Sequence, residues 1–378
     1  MQTAYLDNSA TTRVCAPAAE RALYMMTQCY GNPSSLHSLG AEAFRELETS
    51  RRAVARLIGA RPEELTFTSG GTEANNLAVL GAAASRRREG RRVVTTAMEH
   101  ASVAAACDEL ERQGFEVIRL APGPGGLVDA DQVERACDSG TVLVSVMLVN
   151  NETGALFPIK EIAAAVRRKA PRALIHCDAV QAAGKLEIRA ERLGVDLMTV
   201  SGHKLHAPKG IGGLYIRKGV RVLPRAFGGE QERGLRPGTE PAPLIAAFGA
   251  AAEALPPPAK QEERYRELRR QLLEGLRALG DVRIHEPASG VPYILNVSLP
   301  GYRSETLLHF LAERGVYVSS GSACSRGKKS PVLTALGLPP EELDSALRIS
   351  FCYENTPQDI RQLLEGLAQA RESLIRVR

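Results

Sequence analysis

Short apolar runs alternate with stretches of helical periodicity through the first two-thirds of the chain, and this alternation constrains the fold more than any other feature. Runs at residues 65–68, 92–96, 142–149, 173–177, 197–200 and 213–216 have the length and aliphatic content of buried strands. The intervals 72–87, 102–112 and 158–169 carry helical spacing. Strands and helices taken in turn predict an α/β domain around a mainly parallel central sheet. Ligands of such sheets bind beyond the carboxyl ends of the strands. The pattern breaks at Pro256-Pro257-Pro258. Beyond it, Tyr265, Leu268, Leu272, Leu276 and Leu279 recur at helical spacing and stop at Gly280, a residue suited to ending a helix. A smaller α/β segment follows, with strands expected at 294–298 and 347–351 and helices at 305–314 and from 356. The expected division is a large domain at 15–258 and a small one made of 1–14 with 259–378.

Composition removes several classes of function. A chain of 378 residues with 44% hydrophobic and 24% charged residues can bury a substantial core. Aromatics make up 4% and Trp is absent, which leaves no stacking platform for single-stranded nucleic acid. The net charge of +5 is scattered along the chain, so no direct nucleic-acid role is expected. The densest basic run, Arg86–Arg88 with Arg91 and Arg92, reads as a solvated helix end, and a docking surface for an acidic protein partner stays open. Seven cysteines without a C-x-x-C pair give no zinc pattern, and no metal site is expected. Their odd number, with no secretory leader before Tyr5, argues for a reducing compartment and a cytoplasmic location. No run approaches the roughly twenty apolar residues that span a membrane.

The chemistry centres on a lysine. Val200-Ser201-Gly202-His203-Lys204 puts Lys204 just past an apolar strand, where an α/β fold presents ligands. Another strand end, His176-Cys177-Asp178, carries a carboxylate. Pyridoxal phosphate needs this pair: a lysine to form a Schiff base, and a carboxylate to keep the ring nitrogen protonated. Either segment alone also fits a surface lysine or a capping Asp. The turn Thr68-Ser69-Gly70-Gly71-Thr72 joins a strand to a helix with small residues, so its backbone N–H groups and a hydroxyl can meet a phosphate. By itself such a turn also serves purely geometric ends.

These segments fall in a familiar order. Tyr5 to Thr12, Gly31 to Ser35, Ser69 to Asn76, Glu99-His100, Val149 to Gly154, Asp178-Ala179-Val180-Gln181, Ser201 to Lys204 and Ser319-Ser320-Gly321-Ser322-Ala323-Cys324 together resemble the NifS/IscS cysteine desulfurases. Those enzymes belong to the class V aminotransferase group within pyridoxal-phosphate fold type I, and the likeness runs to about residue 360. It implies a homodimer with the site at the subunit interface. It also implies Lys204 as the Schiff-base lysine, Asp178 at the pyridine nitrogen, and Gln181 at the phenolic oxygen with Asn151 close by. Gly71, Thr72, Ser201 and His203 would bind the phosphate, joined by Thr239 of the other subunit. His100 would lie against the ring and Arg348 would hold the substrate carboxylate. Without the likeness, His100 reads as an ordinary strand-end residue, Arg348 as a strand's solvent-facing charge, and Asn150 and Asn151 as turn residues.

The resemblance also gives Cys324 its role. Residues 318–330 are small and polar, cannot build a packed core, and are expected to form a mobile loop. Arg326, Lys328 and Lys329 would favour the thiolate of Cys324. The implied reaction turns L-cysteine into L-alanine: Lys204 removes the Cα proton, Cys324 takes the sulfur as a persulfide, and His100 handles protons. The sulfur would pass to an acceptor protein for iron–sulfur cluster assembly, tRNA thiolation or another sulfur-containing cofactor. The segment between Cys324 and Pro331 is shorter than in the enzymes that feed the common iron–sulfur scaffold, which favours a dedicated acceptor such as a tRNA-thiolation enzyme. Pro237 stands where the family carries a small residue before Gly238-Thr239. Selenocysteine lyase and a small-substrate aminotransferase are the rival activities on the same fold.

Overall fold

The computed structural model describes residues 3–321 and 329–376; Cys324 and the rest of 322–328, the middle of the loop expected at 318–330, lie outside them. The strands are β1 (Ala4–Tyr5), β2 (Leu65–Thr68), β3 (Arg92–Thr96), β4 (Glu116–Leu120), β5 (Thr141–Ser145), β6 (Leu174–Asp178), β7 (Leu197–Ser201), β8 (Gly212–Ile216), β9 (Arg283–His285), β10 (Ile294–Ser298), β11 (Val316–Tyr317) and β12 (Ala346–Ser350).

A seven-stranded sheet in the order β2-β8-β7-β6-β5-β3-β4 forms the centre. The neighbours from β4 to β7 are parallel, while β8 runs antiparallel to both β7 and β2. β2 therefore points the same way as the parallel strands, and one end of the sheet collects the carboxyl termini of β2, β3, β5, β6 and β7. Helices cover both faces, so β5, β6 and β7 are buried at every position and read as continuous apolar runs. The expected strand at 142–149 is shorter than its apolar run. Residues 146–149 leave β5, with Val146 and Leu148 still hydrogen-bonded to carbonyls of β6. The edge strand β4 escaped the sequence pattern because Glu116 and Arg119 are exposed. The helices Ala16–Thr27 and Ser38–Leu57 pack against Ala242–Ala254.

The second half supplies a three-stranded antiparallel sheet in the order β12-β10-β9. The helix Pro258–Leu279 buries Tyr265, Leu268, Leu272 and Leu276 against the helix Pro357–Ser373, and Gly280 ends it at φ +67°, a conformation glycine adopts without a Cβ penalty. β1 pairs with β11, and Asp7 bridges to Ser350 at the end of β12. The N-terminal segment thus belongs, by pairing, with the C-terminal sheet.

Side chains seal the outer edge of β2. The Arg51 guanidinium makes two hydrogen bonds to the Glu232 carboxylate, at 2.8 and 2.9 Å, and a third to the Leu65 carbonyl. Glu232 also accepts the Phe67 N–H at 3.0 Å. Edge groups that would otherwise be unpaired are satisfied, and the loop after Gly229 is pinned to the sheet. Glu232→Ala would leave the buried Arg51 guanidinium with only the partly exposed Glu48 carboxylate and the Leu65 carbonyl. It should cost about 3 kcal/mol or more in urea unfolding; an unchanged midpoint would mean that the pair is relaxed in solution.

Candidate active site

The carboxyl end of β7 leads into the turn Gly202–Lys204, which aims Lys204 back across the sheet. Its Nζ donates to the carbonyls of Ser9 and Ala10, the latter at 2.7 Å. The turn is tied to the same N-terminal segment, since Thr12 N–H donates to the His203 carbonyl at 2.9 Å. Burial, then the positive charges of Arg348 and Lys185, pull the Lys204 ammonium down from 10.5 to about 7, against the opposing pull of Asp7 and Asp178. A near-neutral amine at a strand end is a nucleophile and a base.

Asp178 ends the adjacent strand β6. Its Oδ2 accepts from Asn75 Nδ2 at 2.7 Å, and its Oδ1 accepts the Val180 N–H at 2.9 Å. Both oxygens are fixed in direction while keeping lone pairs for a further donor. The same Asn75 amide donates to Ser102 Oγ at 2.8 Å, and Ser102 lies 2.7 Å from His100 Nδ1. His100 caps the helix Ala101–Arg112: its Nδ1 accepts the Ser102 N–H. That contact puts the ring proton on Nε2, the nitrogen left facing away from the helix. Burial lowers the His100 pKa, opposed by Asp178, so the ring is neutral at pH 7. One short chain of contacts therefore orients the histidine and the carboxylate together.

The phosphate-type turn is built by glycines. Gly70 sits at φ +154°, which an L side chain rarely adopts, and Gly71 opens the helix Gly71–Ser85. A Cβ on Gly212 would come within 2.7 Å of the Gly70 carbonyl carbon, so the turn can lie on β8 because that position is bare. A Cβ on Gly71 would stand 3.5 Å from that of Ser201, whose buried hydroxyl has no partner among the described residues. The first N–H groups of a helix lack intrahelical acceptors as well. His203 Nδ1 lies 3.3 Å from Thr11 Oγ1, and burial followed by Lys204 drives its pKa down to about 4. Thr72 and Thr239 are exposed on this chain. The loop carrying Thr239 is linked to the turn through Arg236 Nε and Glu73, 3.1 Å apart.

Gln181 donates through Nε2 to the Ser9 carbonyl at 2.9 Å, and its Oε1 has no partner among the described residues. Arg348 on β12 is 2% exposed and does not face solvent. The solvent-facing reading fails because β12 is covered on both sides, which apolar alternation alone cannot reveal. Its Nη2 pairs with Asp7 at 2.7 Å, its Nη1 donates to the Asn151 carbonyl at 3.0 Å, and its buried Nε has no acceptor among the described residues. Asn150 and Asn151 do serve a turn: Asn151 lies in the turn at 151–153, and the Asn150 side chain accepts the N–H groups of Glu152 and Thr153. The residues on either side of 322–328 converge on Glu152. Ser330 donates its hydroxyl to that carboxylate, and a Cβ on Gly321 would lie 3.2 Å from it. Ser319 also pairs backbone to backbone with Arg348.

Sequence reasoning missed Asn75, Ser102, Asp7 and the carbonyls of Ser9 and Ala10. Asn75 and Asp7 sit inside quoted motifs, but their partners lie 103 and 341 residues away.

The donors and acceptors fit pyridoxal phosphate. An amine poised near neutrality, a fixed carboxylate, an orphaned Ser201 hydroxyl beside free helix N–H groups and an orphaned Gln181 carbonyl are what such a group engages. Together with the mainly parallel sheet, this site defines a pyridoxal-phosphate enzyme of fold type I. A family model described as aminotransferase class-V matches residues 4–363, and the chain belongs to that family. Its relatives are cysteine desulfurases. The chain is 42% identical over 378 residues to cysteine desulfurase 2 of Trichormus variabilis, covering 99% of this chain and 94% of that protein. It is 38% identical to the cysteine desulfurase IscS of Methanosarcina thermophila, covering 98% and 92%. A solved NifS-like protein superposes with a TM-score of 0.93 at 36% identity, covering 99% of this chain and all of that one. The chain is thus a pyridoxal-phosphate-dependent enzyme of the cysteine desulfurase group.

Gly70→Ala tests the turn. No atom lies within 4 Å of the added Cβ, so the cost is backbone strain alone. It should amount to roughly 1–3 kcal/mol in chemical denaturation, with weaker cofactor retention; full stability and retention would mean that the turn relaxes freely.

Proposed function

We propose that this enzyme releases alanine from L-cysteine and stores the sulfur on Cys324, with Lys204 carrying the cofactor. The observation that carries this reading is the buried Lys204 amine beside the oriented Asp178 carboxylate at adjacent strand ends. Pyridoxal phosphate, when bound, supplies an electron sink that stabilises negative charge at the substrate Cα. Asp178 would hold the proton on the ring nitrogen, its carboxylate fixed by Asn75 and Val180 N–H. Gly71, Thr72, Ser201 and His203, with Thr239 of a partner subunit, would bind the phosphate. Gln181 would face the phenolic oxygen with Asn151 near it, and His100 would lie along the ring with its Nε2–H outward.

Arg348 has a buried Nε to offer a substrate carboxylate, while Asp7 and the Asn151 carbonyl hold the rest of its fork in place. Lys204 Nζ takes the substrate Cα proton, and its lowered pKa leaves it able to accept one at neutral pH. The Cys324 thiolate then attacks the substrate sulfur. The carbon–sulfur bond breaks as a sulfur–sulfur bond forms, its electron pair stays on Cβ, and Cβ takes one of the two thiol protons while the other remains with the persulfide. Cysteine plus thiol equals alanine plus persulfide, so no outside oxidant is needed. The anchoring of both flanking segments near Glu152 and Arg348 supports Cys324 as the acceptor, and a solved relative at 34% identity described as SspA in complex with cysteine supports cysteine as the substrate.

The persulfide would be delivered to an acceptor protein in the cytoplasm, for iron–sulfur cluster assembly or, given the short cysteine segment, tRNA thiolation. Among the described residues no helix is long and apolar enough to cross a membrane. A homodimer is the expected assembly. Leu23, Met26, Tyr30, Leu36 and Phe44 are exposed together near the first two helices, and Thr239 is exposed as a residue serving a partner would be. A monomeric mass in sedimentation would contradict it. The pairing of β1 with β11 supports dividing the chain into 15–258 and a smaller unit of 1–14 with 259–378.

Cys324→Ser should retain the bound cofactor and lose sulfide release and alanine formation by at least about a hundredfold; wild-type rates would remove Cys324 from the mechanism. The rate of pyridoxal phosphate uptake should climb as pH rises through about 7 and then level, because the unprotonated Nζ is the reactive form. A rise continuing toward 10.5 would mean that Lys204 keeps its ordinary proton affinity.

A further inference from the structure

Lys185 is a buried cation that the reaction above does not use. It is 4% exposed, and its Nζ has no hydrogen-bond partner among the described residues. The ammonium lies 5.1 Å from the ring centre of Tyr293, so the aromatic face is its main compensation. A lysine buried on such terms is costly, and a Met or Leu would fill the same space more cheaply.

The surroundings connect it to Lys204. Tyr293 donates its hydroxyl to the Gln181 carbonyl at 2.8 Å, and Gln181 Nε2 reaches the Ser9 carbonyl that also receives Lys204 Nζ. A Cβ on Gly184, the residue before Lys185, would lie 2.8 Å from the side chain of Leu205, the residue after Lys204. Gln261 holds this corner by donating to the Gly184 carbonyl at 2.8 Å, and Tyr265 holds Gln261 in turn. Lys185 is therefore fixed in place on a rigid turn that packs against the Lys204 turn.

We propose that Lys185 is a positioning residue whose fixed buried charge keeps the Lys204 amine uncharged and ready to react. A second cation in a low-dielectric site disfavours a neighbouring ammonium. Lys185 stands after Arg348 among the charges that lower the Lys204 pKa. Lys204 also faces Asp7 and Asp178, which work against Lys185, and His100 and His203. Lys185 in turn faces Arg348 and Cys352. Burial brings the Lys185 ammonium down to about 8, which leaves it charged at neutral pH. The inference rests on Lys204 being the reactive lysine.

The test measures the proton affinity of Lys204 in the full-length chain freed of cofactor. Competitive acetylation across pH, read by mass spectrometry of the Lys204 peptide, reports its midpoint whether or not that lysine carries the cofactor. Lys185→Met should move the midpoint upward by about half to one pH unit, making the amine roughly three- to tenfold less available below it. Lys185→Arg, which keeps the charge, should stay near wild type. A midpoint unmoved in a folded Lys185→Met would overturn the inference, as would equal upward shifts in both variants, which would mark a packing role. If Lys185→Met fails to fold, the same measurement on Tyr293→Leu, which removes the aromatic face under the ammonium, decides. An upward shift supports the role, and a midpoint unmoved or lowered contradicts it.

Discussion

The backbone of residues 6–12 is the strut on which the site depends. On one side it is stitched to the C-terminal sheet, where the Leu6 carbonyl accepts the Ser350 N–H at 2.7 Å and Leu6 N–H donates to Tyr317. On the other it receives Lys204 Nζ at the Ser9 and Ala10 carbonyls, Gln181 at the Ser9 carbonyl, and binds the His203 carbonyl through Thr12. Asp7 in the same segment fixes Arg348. The lysine from one sheet and the arginine from the other are thus held in register by a few peptide groups. Backbone carbonyls suit this task because they carry no titratable charge that would hold Lys204 protonated.

Electrostatics then sets what each group can do. Lys204, Lys185 and Arg348 are three cations in a confined space, balanced by Asp7 and Asp178. Arg348 cannot shed its proton. The strain therefore falls on the lysines, and on Lys204 most, which becomes the group able to change protonation near neutrality. Burial keeps the nearby histidines neutral as well: His176, on β6 between Ser145 and Thr199, through burial alone, and His203 through burial and then Lys204. The readiness of the Lys204 amine comes first from its burial and then from the like charges around it.

Much of this was legible in the chain, and the reasons for what was not are physical. The central strands announced themselves because both faces are buried, which demands continuous apolar runs, and β2 and β3 fall where expected. β4 is half exposed at the edge, and β1 and β11 are two residues each, too short to carry a period. The antiparallel course of β8 left no mark, since Gly212 and Gly213 serve a close approach to Gly70 and Leu65. Lys204 and Asp178 could be picked out as candidates because strand-end position is itself a signal, and both do lie at strand ends. The amide of Asn75 and the hydroxyl of Ser102 act only through tertiary partners, so no local pattern marks them. For Lys185 the residue type was visible and the burial was not.

The claim that everything converges on one amine has a direct test. Borohydride reduction of the cofactor-loaded enzyme, followed by digestion and mass spectrometry, identifies the lysine to which the cofactor is attached. A stoichiometric phosphopyridoxyl group on the Lys204 peptide is the result this account predicts. The same group on Lys185 or any other lysine would contradict it.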